Sequence, residues 1–463
     1  MQSRIKPLNI KSNPKGNCVV YVMSRDQRVK DNHALYEAQQ EALSTKLPLL
    51  VVFNLLAKSG NRAKEHFEFM LTGLAEVEKD LAAKNIGFAL TFGPVKSELF
   101  GYLKKLNPNS VYFDFSPLNG PRKVHDFLAK HLDAKCVVVD THNIIPIWVA
   151  SDHEEFAAYT FRNTVHKHLS DWLVEPKQIS SHPHQLKFKP KADWGHAKKF
   201  IDKVKPNGTK LEFNSGEDSG HKHLRGFVLK RLASYAEDRN NPNTDGVSGL
   251  SPYLHYGQVS SLRVALEVMG SHPPLLFEQA KLAKYEGAPT KQNSIDAFLE
   301  ELIVRKELSD NFCYYNHNYH SINGAKDWAL KSLEEHISDP REHIYSLEQL
   351  ESSSTHDPAW NAAQSQLRKT GKMHGYMRMY WAKKILEWTK TPAEAVEIAN
   401  YLNDHYSIDG GDPNGYVGVL WSIGGIHDRA WFEREVFGKI RYMNYNGLKN
   451  KFDVGEYEKK WNQ

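Results

Sequence analysis

Tryptophan, methionine, histidine and arginine crowd one stretch of this 463-residue chain, THDPAWNAAQSQLRKTGKMHGYMRMYWAKKILEW at 355–388. From Lys372 to Trp388 the only glycine or proline is Gly375, and apolar residues recur at Met377, Trp381, Ile385 and Trp388, the spacing of a buried helical face. Trp381 and Trp388 then share that face, roughly 10 Å apart along the axis at ~1.5 Å per residue. Tryptophans paired in this way ordinarily fill a core. Arg378 lies among the same apolar neighbours, where an unpaired guanidinium is costly, so it needs a partner.

Other stretches carry weaker signals. SGLSPYLHYGQ (248–258) sets Ser248, Gly249, Leu250 and Ser251 before an apolar run; the hydroxyls and the amides of a helix start suit an anion, or simply cap a helix. DGGDPNG (409–415) has the acids and glycines of a calcium loop but neither the DxDxDG spacing nor its closing glutamate. Glu301 and Arg305, four apart, read as an exposed helical ion pair, and Asn403 in NYLNDHY as a helix-end residue. FGKIRYMNYNGLKNK (437–451) carries Lys439, Arg441, Lys449 and Lys451 with no acid, interleaved with Tyr442 and Tyr445. It suits phosphate contacts beside aromatic packing, or a solvated basic loop. There is no HExxH, and no metal site is signalled.

The elements that would position these residues fall into two kinds. In the first 145 residues, CVVYVM (18–23), PLLVVFNL (48–55), GFALTF (87–92), SVYFDF (110–115) and CVVVD (136–140) read as strands. Helical patterns such as 62–84 lie between them, which predicts a doubly wound, Rossmann-like parallel α/β sheet. Neither GxGxxG nor GxxxxGK[ST] is present. Residues 176–220, rich in Pro, Gly, Ser and Lys, read as a linker between an α/β domain at 1–175 and an all-helical domain at 221–463. Formal net charge is only +5, Cys18, Cys136 and Cys313 form no CxxC, and no apolar run reaches about 18 residues. A soluble, intracellular protein in a reducing compartment is expected, with nothing demanding more than a monomer.

Long strings along nearly the whole chain share one resemblance: YVMSRDQRVKDNHAL (21–35), FDFSPL, VDTHNIIPIW, LSPYLHYGQVS, ELIVRKELSDNFCYYN, KMHGYMRMYWAKKILEW, DGGDPNGYVG, WSIGGIHDRAW, GKIRYMNY and KFDV. In order and spacing they resemble class II cyclobutane pyrimidine dimer photolyases, within the photolyase/cryptochrome family. That resemblance implies an FAD cofactor, active in its reduced form. The Ser248–Ser251 loop would hold its diphosphate with Tyr235 nearby, Arg378 would stand beside the ring paired with Asp409, and Asn403 would lie next to the flavin N5. It also implies that Trp381, Trp360 and Trp388 relay electrons, indole being the apolar side chain most easily oxidised. Glu301, with Arg305 one turn on, would contact the lesion carbonyls, and Met379 and Trp421 would wall the pyrimidine pair. Arg429, Trp431 and Arg441 would occupy the gap left by the flipped lesion.

The function implied is light-dependent repair of ultraviolet-damaged DNA, in which excited reduced FAD passes an electron to the flipped dimer and the ring opens. A second chromophore of the deazaflavin (8-HDF) type is expected at the strand ends near Met23 to Gln27. Such a protein would be cytoplasmic and nucleoid-associated in a prokaryote, nuclear in a eukaryote. The rival readings are a (6-4) photolyase, a cryptochrome-like blue-light receptor, which usually carries a carboxyl-terminal extension beyond KFDVGEYEKKWNQ, and a DNA-binding module without turnover.

Overall fold

The structure is a computed structural model that describes residues 3–57, 60–190, 192–270 and 291–462. The five apolar runs form β2 (Val19–Met23), β3 (Leu49–Leu55), β4 (Gly87–Phe92), β5 (Ser110–Asp114) and β6 (Lys135–Val139), all mutually parallel where they pair. Successive side chains of a strand point to opposite faces. Val19, Tyr21 and Met23 accordingly enter one apolar cluster with Val51 and Phe53, while Val20 and Val22 enter another with Leu50 and Val52. Both faces are covered, which is why these strands read as unbroken apolar runs. A short strand, β1 (Ile5–Pro7), pairs antiparallel with β6 at the edge, giving the order β1-β6-β5-β2-β3-β4. Its three residues, IKP, carry no strand pattern that could be read in advance. The expected crossover at 62–84 is the helix Lys64–Ala83.

The chain runs from β2 outward to β4, then returns to β5 on the other side of β2, so the crevice of a doubly wound sheet opens at the carboxyl ends of β2 and β5. Asp114, the last residue of β5, organises it. Its carboxylate accepts from the Tyr21 hydroxyl at 2.5 Å and from the backbone N–H groups of Ser24, Arg25 and Asp26 at 2.8, 3.0 and 3.1 Å. That turn aims Arg25 out of the sheet at the helix Lys306–Tyr315, where its guanidinium donates to both oxygens of the buried Asp310 at 2.6 and 2.9 Å. Glu307 of the same helix accepts from the N–H of Ile144 at 2.5 Å, just beyond β6. Burial pushes the Glu307 carboxyl up to about 8 against the pull of Lys306. The helical part is therefore seated at the carboxyl ends of the strands by the Arg25–Asp310 ion pair and the buried Glu307 carboxyl.

Within 176–220 the backbone is not a bare tether. It contains the helix Trp194–Ile201, and Ile179, Ala192, Ala197 and Ile201 are buried in the cluster that covers one sheet face. Beyond it the fold is helical. Pro358–Thr370, Pro392–Tyr406 and Pro413–Gly424 each begin with proline after a capping residue, Asp357, Thr391 or Asp412, whose side chain accepts from the backbone N–H of Trp360, Glu394 or Asn414. Gly371 and Gly425 end two of these helices at φ of 72° and 64°, the left-handed cap that glycine adopts without strain. With Gly375–Glu387 they enclose a second large apolar cluster.

Candidate active site

Met377, Trp381, Ile385 and Trp388 are all buried, as their spacing requires. What the spacing does not show is that Trp360, from the preceding helix, stands between the two tryptophans. Its ring lies parallel to that of Trp381 at 6.4 Å between centroids and edge-on to that of Trp388 at 5.6 Å. The Trp360 indole N–H donates to the backbone carbonyl of Trp381 at 3.0 Å, and that of Trp381 to Gln364 Oε1 at 2.9 Å, so both rings are fixed. Trp388 in turn touches Tyr345 and the exposed His356, at ring distances of 5.4 and 5.3 Å. The row thus runs from the neighbourhood of the surface to Trp381, one helical turn from Arg378.

Arg378 is not bonded directly to Asp409, as the sequence reading expected. Its guanidinium donates to Asn403 Oδ1 at 2.7 Å and to Ser407 Oγ at 3.4 Å, and Ser407 donates to Asp409 Oδ1 at 2.5 Å. The ammonium of Lys372 makes the direct ion pair with Asp409, at 2.9 Å, and also donates to Ser251 Oγ. Burial alone would raise the Asp409 carboxyl, but Lys372, Arg378 and the two serine hydroxyls outweigh it and hold the group well below the usual carboxylate range. Lys372 and Ser407 are site residues that the sequence reading missed. The one available signal was position: Lys372 opens the tryptophan-rich motif, and Ser407 lies between NYLNDHY and DGGDPNG.

This cluster joins the Ser248–Ser251 loop to the Asn403 helix. Gly249 has φ +68°, and a Cβ there would come within 2.6 Å of His223 Nε2, a ring nitrogen paired with the Ser248 carbonyl at 2.9 Å. Leu250 is fully buried and anchors the loop, and its N–H donates to Ser248 Oγ at 3.3 Å. Asn403 lies in the last turn of its helix, buried, and its Nδ2 donates to Asp404 Oδ1 at 3.2 Å; Gly415 packs so closely that a Cβ there would sit 2.8 Å from that nitrogen. His374, at the cap of the Gly375–Glu387 helix, is buried, and its Nδ1 accepts from the Tyr376 N–H at 3.2 Å. Tyr235 packs its ring edge-on against Phe227 and Phe298. An ammonium, a guanidinium and two hydroxyls thus gather around the half-buried Asp409 carboxylate, with the Asn403 amide on the guanidinium. This donor set fits an anionic, hydrogen-bonding dinucleotide such as FAD.

Glu301 and Arg305 do not pair with each other. Residues Glu300–Arg305 form a π-helical turn, which breaks the four-residue spacing on which that pairing rested. Glu301 instead accepts from Arg239 at 2.7 Å, while Arg305 approaches Glu300 at 3.4 Å, itself held by Arg162 at 2.6 Å. Met379 and Trp421 are half-buried on the Gly375–Glu387 and Pro413–Gly424 helices, which pack together. Beside them, Arg441 lies 5.8 Å from the Trp421 ring and 4.8 Å from that of Trp431, with Arg429 5.0 Å from Trp431. The Trp431 backbone N–H donates to the Lys439 carbonyl at 2.9 Å, so a hairpin loop carries this cation–aromatic stack. The tyrosines of the basic segment turn inward: Tyr442 packs on Phe437, and the Tyr445 hydroxyl donates to Glu458 at 2.9 Å.

The model of the DNA photolyase family matches residues 19–183. A deoxyribodipyrimidine photo-lyase of Potorous tridactylus is 46% identical over 446 residues, covering 95% of this chain and 80% of that protein. One of Arabidopsis thaliana is 46% identical over 455 residues, covering 95% and 88%. The crystal structure of a bacterial class III photolyase from Agrobacterium tumefaciens superposes with a TM-score of 0.70 at 18% identity, over 98% of this chain and 88% of that one, which shows the same fold. At this identity and coverage, the chain belongs to the DNA photolyase family.

Proposed function

We propose that this protein splits cyclobutane pyrimidine dimers in damaged DNA under near-ultraviolet or blue light, with residues 221–463 as the FAD- and DNA-binding domain, 1–175 as the α/β domain and 176–220 joining them. The observation that carries the reading is the 46% identity, over 95% of the chain, to proteins named deoxyribodipyrimidine photo-lyase. Reduced FAD, when bound, supplies an excited electron to the lesion and recovers it after ring opening, so the net reaction is redox neutral.

The chain's own residues then bind, orient and conduct. Lys372 and the hydroxyls of Ser248 and Ser251 would hold the diphosphate, with Leu250 and Gly249 setting the loop and Tyr235 supporting it. Arg378, Asp409 and the Asn403 amide would face the ring. The amide can donate or accept without bringing a charge, and the Lys372 and Arg378 cations keep Asp409 ionised. Trp388, Trp360 and Trp381, in contact in that order, would pass an electron inward from the surface. On the DNA side, Met379 and Trp421 would wall the flipped pyrimidines, Glu301 would present its carboxyl to their carbonyls, with Arg305 one turn beyond, and Arg429, Trp431 and Arg441 would fill the vacated duplex.

A deazaflavin antenna is proposed at the strand ends near Met23 to Gln27, supported by Asp26 Oδ2 and Gln27 Oε1, both buried without a partner. No helix among the described residues is long and apolar enough to cross a membrane; a monomer inside the cell, at the DNA, is the arrangement proposed. The test is repair: flavin-loaded, reduced protein is incubated with ultraviolet-damaged DNA, with and without blue light, and cyclobutane and (6-4) lesions are counted separately. Light-dependent loss of cyclobutane dimers is expected. Bound flavin without repair would move the reading to signalling, and loss of the other lesion alone would move it to a (6-4) photolyase.

A further inference from the structure

Lys383 is fully buried, one helical turn beyond Met379 on the Gly375–Glu387 helix. Its ammonium donates one hydrogen bond, to the Ser422 carbonyl at 2.9 Å, and otherwise lies 4.9 Å from the centroid of the Trp421 ring. Among the described residues no carboxylate forms an ion pair with it. The charged groups facing it are Asp428, which favours its charge, and Arg441, which opposes it from the same Trp421 ring. Its neighbour Lys384 turns away, to Glu387. A buried ammonium with a carbonyl and an indole as its only close partners is costly, and a hydrophobic side chain of this length would fill the space without that cost.

We propose that Lys383 is a positioning residue of the lesion pocket: held by the Ser422 carbonyl, its charge fixes the Trp421 ring by a cation–π contact and places positive potential behind the wall that meets the damaged pyrimidines. This rests on the reading of Trp421 as that wall. Burial, the larger influence, pulls the Lys383 ammonium down to about 7. The contact is therefore present below neutrality and lost as the pH rises through that value, so lesion recognition weakens towards alkaline pH.

The test measures, in the dark, the affinity of the flavin-loaded protein for a duplex with one cyclobutane dimer and for the same duplex undamaged, from about pH 6 to about pH 8.5 at constant salt. The ratio of the two cancels contributions common to both duplexes. For the wild type the ratio should fall about fivefold across the window. Lys383→Met should hold it constant near the alkaline value, and Lys383→Arg, charged throughout, near the acid value. His336, which caps the helix Asp327–Glu335 and bonds Glu433 of the neighbouring hairpin, has its titration raised by Asp339 and Glu433; it is retained in both variants, so their difference from wild type isolates Lys383. A wild-type profile in Lys383→Met overturns the proposal. Should that variant fail to fold, an alkaline fall in Lys383→Arg overturns it equally. Trp421→Ala separates the two levels: unchanged discrimination there refutes the pocket reading itself, whereas its loss alongside a wild-type profile in Lys383→Met refutes only the role of Lys383.

Discussion

Replacing Asp310 with alanine should do more harm than any exposed charge in the molecule would. Asp310 is inaccessible, and it accepts two hydrogen bonds from Arg25, whose side chain is only 11% exposed, and a third from Asn143 Nδ2 at 3.0 Å. Removing one partner of such a pair leaves the other charge stranded, at ~3–5 kcal/mol, and the unmet Asn143 amide adds ~1 kcal/mol. The predicted loss is therefore about 5 kcal/mol. Urea unfolding of wild type, Asp310→Ala, Arg25→Met and the double variant Arg25→Met/Asp310→Leu forms a cycle. Each single change should cost several kcal/mol, and the double change clearly less than their sum, because no charge is left unpaired. Acid should mimic the loss. Burial raises the Asp310 carboxyl, but Arg25 more than offsets it, leaving the group below its ordinary value. Its contribution is thus complete above the unfolded value, about 3.9, and disappears as pH falls through the lower folded one. A cost under ~1 kcal/mol for Asp310→Ala, or strict additivity in the double variant, would refute the view that this pair seats the helical part on the sheet.

Trp360→Phe should abolish photoreduction of oxidised flavin, since it removes the ring between Trp381 and Trp388, while protein reduced beforehand still repairs; transient absorption and a repair assay check the two halves. Lys383→Met should be more stable than wild type near pH 7 and lose that advantage by pH 10.5. Between the folded value of about 7 and the ordinary 10.5 the unfolded chain holds one more proton, so wild-type stability climbs by ~1.4 kcal/mol per pH unit, ~5 kcal/mol in all; parallel denaturation curves for the two proteins would contradict this. Arg441→Glu should weaken binding to damaged DNA and lower its salt slope by about 1, and titrations at several salt concentrations would show it.

Periodicity within one element was legible; relations between elements were not. The five parallel strands could be read because both faces are buried, which turns each into a pure apolar run, whereas IKP of β1 pairs through its backbone at an edge and leaves no pattern. The buried face of the tryptophan helix followed from its spacing, yet nothing in that spacing tells that Trp360 inserts between Trp381 and Trp388. The need of Arg378 for a partner was apparent from its neighbours. Which partner it takes depended on Lys372, 37 residues before Asp409 in the chain, making the direct pair with that carboxylate. The basic and proline-rich composition of 176–220 hid four small or apolar residues that bury against the sheet, because a few anchors in a polar segment scarcely change its average.

The π-helical turn at Glu300–Arg305 has a consequence for how this chain can change length. On its amino-terminal side Phe298 and Ser294 pack and bond against the Tyr235 region; on its carboxyl-terminal side Glu307 and Asp310 lock onto the sheet. The wider turn sets the rotational phase between these two sets of contacts. Deleting one residue would let this turn return to ordinary α-helical winding with the two sets in nearly the same phase, whereas inserting a further residue would turn one set by about 100° relative to the other, so that only one could dock. Substitutions here are tolerated or not according to the side chain, and a one-residue deletion can be absorbed by the wide turn, but a one-residue insertion alters the gearing between the Tyr235-facing and sheet-facing halves of the helix at once.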